Sequence, residues 1–121
     1  MKKAFPIALF FTLFLTNCKQ DDKKPLLFGK WQAVSWKVKG VESGRDFKSV
    51  HFEFMPDDTY STAYDNQTEK GTYRLAGDKL YTTGENKIEK MVKLSTFTAD
   101  TIVMDMNRVG DSEALILAKR Q

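Results

Sequence analysis

Cysteine and histidine are almost missing from this chain, one of each in 121 residues. A lone cysteine forms no intramolecular disulfide. A lone histidine, His51, with no second histidine or cysteine partner completes neither a zinc site nor a nucleophilic triad. An excess of one charge is missing as well: 19 Lys and Arg stand against 16 Asp and Glu, a formal net charge of +3 without the clustering that nucleic-acid binding needs. Also absent are Gly-x-Ser-x-Gly, a phosphate-cradling glycine loop and the Asp-x-Asp-x-Asp-Gly pattern of a calcium loop. Asp57 and Asp58 sit in turn chemistry, where adjacent acids point apart, and Asp100, Asp105 and Asp111 are dispersed. These absences predict a protein that is not an enzyme, holds no metal or cofactor and binds no nucleic acid. The length leaves room for one domain.

What is present begins with an address. Met1-Lys2-Lys3 precedes an uncharged stretch, 4–16, rich in Phe, Leu, Ile and Ala; at 13 residues it is shorter than the ~20 that span a bilayer and has the form of a secretory signal peptide. Leu15-Thr16-Asn17-Cys18 resembles the lipobox of bacterial lipoproteins. That resemblance implies cleavage before Cys18, attachment of palmitate-type acyl chains to it, and a membrane partner reached through the lipid, each buried CH₂ contributing about 0.8 kcal/mol. The polar stretch Lys19-Gln20-Asp21-Asp22-Lys23-Lys24-Pro25 reads as a tether and also resembles the export signal of Bacteroidetes lipoproteins. The expected location is the bacterial outer membrane, on its periplasmic or cell-surface face. The chain thus divides into a signal peptide (1–17), a lipidated Cys with its tether (18–25) and a domain (26–121).

Removal of residues 1–17 takes two lysines with it and leaves 17 basic against 16 acidic groups, a net charge of +1. From Lys30 onward, apolar residues alternate over short runs broken about every ten residues by Gly, Asp, Asn or Pro, the pattern of an antiparallel all-β domain. Eight strands are expected, over 30–38, 48–55, 59–65, 71–76, 79–83, 87–95, 101–107 and 114–119. Alternation places Val50, Phe52 and Phe54 on one face, and with them Tyr60, Thr62 and Tyr64, then Tyr73 and Leu75. Ile88, Val92, Leu94, Ile102, Met104, Met106, Leu115 and Leu117 extend that face. The first strand is apolar on both sides, with Trp31, Ala33 and Ser35 out of phase with Val34, Trp36 and Val38, which calls for a bulge or a bend of open register. Short connections favour an eight-stranded up-and-down barrel, with a two-sheet sandwich as the rival.

Leu26-Leu27-Phe28-Gly29-Lys30-Trp31, an apolar turn leading into Gly-x-Trp, resembles the opening of lipocalins and related calycins. The Pro56-Asp57-Asp58-Thr59-Tyr60 turn, Gly71-Thr72-Tyr73 and the closing Leu115-Ile116-Leu117-Ala118-Lys119-Arg120 resemble small lipocalin-like lipoproteins of Bacteroidetes. The chain departs from classical lipocalins in its shortness, its lack of a disulfide and the absence of a Thr-Asp-Tyr motif and a C-terminal helix. The resemblance implies a lipocalin-like barrel whose floor is closed by Trp31 beneath a basic residue, Arg120 or Lys119, next to Gly29. It also implies non-covalent binding of a small apolar or amphipathic molecule, with Phe52, Phe54, Tyr60, Tyr64, Tyr73, Met104 and Met106 as the residues that would line the site. So many large side chains on short strands predict a mostly filled interior with a shallow mouth. The alternative is a monomeric protein-binding barrel, similar to lysozyme inhibitors, that uses the loops 40–46 and 107–111.

Overall fold

Turn chemistry divides the chain into hairpins. In the computed structural model, which describes residues 23–108 and 110–120, Asp65 and Asn66 both take positive φ (54° and 70°). This two-residue turn suits the right-handed twist of the flanking strands and joins β4 (Thr59–Tyr64) to β5 (Gln67–Ala76). β5 therefore starts four residues before the expected position of 71, because Gln67, Thr68, Glu69 and Lys70 carry no apolar alternation to announce it. The remaining strands are β1 (Gly29–Val38), β2 (Val41–Glu42), β3 (His51–Phe54), β6 (Lys79–Gly84), β7 (Glu89–Phe97), β8 (Thr101–Arg108) and β9 (Asp111–Lys119). The expected signal peptide, Cys18 and the tether as far as Asp22 lie outside the described residues, as does Val109 in the loop 107–111.

The strands pair in the order β2-β1-β3-β4-β5-β6-β7-β8-β9, and β1 also pairs with β9, which closes the sheet. All pairs are antiparallel. The result is the eight-stranded barrel, not the sandwich. The additional strand, β2, has two residues and folds back on the end of β1. β1 serves two edges: Gly29 to Gln32 pair with β3, and Trp31 to Val38 pair with β9 across a bulge between Ala33 and Ser35. Val34 is the extra residue and stands 46% exposed, so that Trp31, Ala33 and Trp36 all point inward. The two-sided apolar pattern of this strand is that bulge.

Before β1, Lys24–Leu27 form a single helical turn (α1) with Pro25 at its start, where the missing N–H costs nothing. The helix begins within the segment read as a tether. It drives Leu27 against the end of the barrel, where Leu27, Trp31, Ile102 and Leu117 are fully excluded from water. Ile88 corrects the expected inward face. It precedes β7, follows Lys87 at φ 69°, and is 56% exposed, since the turn after Gly84 takes it out of phase with Val92 and Leu94.

Candidate functional site

The barrel has one closed end, built around Trp31. Its indole N–H donates to the carbonyl of Leu27 at 2.8 Å, tying α1 to the first strand. The cation over the ring is Lys119, whose Nζ lies 4.6 Å from the ring centroid and donates to the carbonyls of Phe28 (2.8 Å) and Leu26 (3.2 Å). Arg120 does not fill that place. It is exposed, with its backbone N–H bonded to the Lys30 carbonyl at 2.8 Å, because alternation after Leu115 and Leu117 turns position 119 inward and 120 outward. Gly29 makes room for this arrangement: at φ +118° it avoids strain, and a Cβ there would press within 3.3 Å of the Lys119 stem.

Phe54 and Tyr73 belong to this floor. Their rings meet edge-on at 5.1 Å, and the Tyr73 hydroxyl donates to the Met55 carbonyl at 2.8 Å. Burial, then the charges of Asp58 and Asp57, push the Tyr73 phenol up to about 12. The turn beside it is held by Asp57, which accepts from the Thr59 hydroxyl (2.5 Å) and backbone N–H (3.1 Å), bonds that pull its carboxyl below the ordinary range. Lys24 of α1 pairs with Asp58 and lies over the Tyr73 ring.

Above the floor the interior is open. A cavity of about 770 Å³ runs between the strands, lined by Phe52, Tyr60, Tyr64, Met104 and Met106 among the residues expected to line a site. Phe54 and Tyr73 are not among its lining residues. The expectation of a mostly filled interior is overturned. Two of the large aromatics are spent on the floor, and Tyr64 stands at the mouth, 45% exposed, with its ring 5.7 Å from Trp36. The inward positions between are occupied by the short or polar Thr62, Glu69 and Thr82 and by Gly71 and Gly84, which add no side chain.

The cavity is two-sided in character. Val50, Leu80, Val92, Met104 and Leu115 supply apolar wall, while Tyr60, Glu69 and Thr82 form a polar cluster. The Tyr60 hydroxyl neighbours Glu69 and Thr82; burial and the Glu69 charge raise its pKa. Glu69, Thr82 and Trp36 were missed in the sequence as lining residues because no apolar signal marks the first two and the bulge hides the third. Near Trp36, Glu113 is buried and accepts the Trp36 indole N–H at 2.9 Å, with Arg45 at 3.5 Å. Its signal was present: Glu113 is in phase with Leu115 and Leu117. His51 lies outside the cavity lining, half-buried, with Nδ1 excluded from water and unbonded.

The sequence model of the lipocalin-like domain matches residues 27–104. The chain belongs to the lipocalin-like domain family. Solved relatives of this lipocalin-like chain share its fold. A lipocalin-like protein from Bacteroides uniformis superposes with a TM-score of 0.60 at 17% identity, covering 78% of this chain and 99% of that one. A DUF4847 family protein from Bacteroides vulgatus gives 0.59 at 13% identity, covering 82% and 99%, and a protein from Bacteroides eggerthii gives 0.57 at 16%, covering 78% and 99%. No curated protein matches the chain in sequence. In this lipocalin-like barrel, Gly29, Trp31 and Lys119 close the floor, and the cavity lies above it.

Proposed function

We propose that this lipocalin-like protein binds a small amphipathic molecule non-covalently in its interior and works from the outer membrane, held there by acyl chains on Cys18. The observation that carries the first part is the open cavity of about 770 Å³, well within the 300–1,000 Å³ typical of small-molecule sites. Its mix of apolar wall and a few convergent polar groups supports an amphipathic rather than a wholly apolar ligand. The reading is tested by native mass spectrometry of the protein purified from its own host and after exposure to medium-chain amphiphiles. Retained mass in the one-to-one range is expected; a bare chain under every condition overturns the binding reading.

The lipobox-like Leu15-Thr16-Asn17-Cys18 supports the anchor. α1 packs on the closed end, so a lipid on Cys18, five residues before Lys23 and within about 18 Å of it, holds the floor toward the bilayer and turns the mouth away from it. Cys18→Ala is expected to release the protein from the membrane fraction. A variant that stays with the membrane refutes the anchor.

A further inference from the structure

Glu69 is a half-buried carboxylate in the cavity wall that apolar packing of a ligand leaves unused. Strand alternation on β5 brings it inward with Gly71 and Tyr73, and it lies half-buried in the wall. The Tyr60 hydroxyl stands against its carboxylate. Space for it is cleared by Gly84 on β6, where a Cβ would come within 2.0 Å of Glu69 Oε2. Among the described residues, none of the ion pairs involves Glu69. The other charges bordering the cavity are Lys90 and Lys93 from β7, both exposed, and Asp105 from β8; the lining residues of β1, β3, β4, β6 and β9 are uncharged. A carboxylate has about four acceptor positions, so a neighbouring hydroxyl leaves most of them open. In a space partly withdrawn from water, such an anion favours a cationic donor far more than it does in bulk solvent.

We propose that Glu69 determines the specificity of the cavity and that its ligand is an amphiphile with a protonated amine, which donates to Glu69 beside Tyr60 while its apolar body lies along Leu80, Met104 and Leu115. The inference rests on the ligand-binding reading of the cavity. It is tested by isothermal titration of the full chain with octylamine, octanol and octanoate, three water-soluble probes of one chain length, against a protein-free blank. Octylamine is expected to bind at least tenfold more tightly than octanoate, with octanol between them. Glu69→Gln removes the charge at constant shape and should bring octylamine within threefold of octanol. Gly84→Ala, which displaces the flexible carboxylate while leaving it in the chain, should have the same effect and decides the matter if Glu69→Gln does not fold. Octanoate binding as tightly as octylamine, or an amine preference that survives in the folded variants, overturns the role of Glu69 alone. No binding of any probe to the unsubstituted chain overturns the cavity reading itself, and the inference with it.

Discussion

Single side chains in the floor do several jobs at once, and their removal should be felt in proportion. Trp31 is fully buried, bonded to Leu27 and covered by Lys119. Trp31→Ala is expected to destabilise by about 3–5 kcal/mol in denaturant unfolding, as for other large core truncations. Lys119→Met keeps the stem over the ring but leaves two carbonyls without their donor, and about 1–3 kcal/mol should be lost. Arg120→Met should be nearly neutral, since that side chain is exposed. Tyr73 carries a pH signature. Its phenol is raised to about 12 in the folded protein, against about 10 in an unfolded chain. The unfolded state therefore releases this proton first, so the contribution of Tyr73 to stability is full below pH 10 and is lost as pH rises from 10 to 12. Alkaline unfolding followed by circular dichroism should be steeper in this window for the unsubstituted protein than for Tyr73→Phe. Equal slopes would remove Tyr73 from the account.

Elements show where patterns speak and where they are silent. Apolar alternation announced β3, β4, β8 and β9 well, and the double-sided first strand correctly announced a bulge. The N-terminal half of β5 was hidden, because its polar residues face water on one side and a hollow on the other, so neither face demands apolar side chains. Its turn is nonetheless specified by Asp65 and Asn66, both at positive φ. Asn66→Gly relieves that conformation and should stabilise by about 0.5 kcal/mol after the entropy of glycine is counted. Asn66→Val places a β-branched residue at the same φ and should cost about 1–2 kcal/mol. Thermal unfolding of the two variants must move in opposite directions for the turn assignment to stand.

At the scale of the molecule, an open interior is a set of contacts not made, and the closed floor is what holds the barrel together around it. A ligand that fills the cavity binds only the folded chain, so it should raise the melting temperature with concentration. The gain is about 2.7 kcal/mol at one hundred times the dissociation constant. A melting temperature indifferent to a ligand shown to bind by titration would place that ligand outside the barrel. Glu113, Trp36 and Arg45 join β9, β1 and the segment between β2 and β3 near the mouth. They tie β9 to the first strand and the loop that follows it, a link that alternation within any one strand does not reveal.

By itself the sequence determined the class of fold, because period-two alternation and turn residues are local properties that a chain carries in its residue order. It determined the inward identity of Phe52, Tyr60, Met104 and Leu117, and the need for a bulge in the first strand. Only the tertiary structure decided which basic residue covers Trp31, since Lys119 and Arg120 differ by a single step of alternation at the strand end. Only the tertiary structure decided that the interior is open. A list of inward residues carries no heights along the barrel, and volume depends on whether aromatics such as Phe54 and Tyr73 stack together at the floor or spread along the axis.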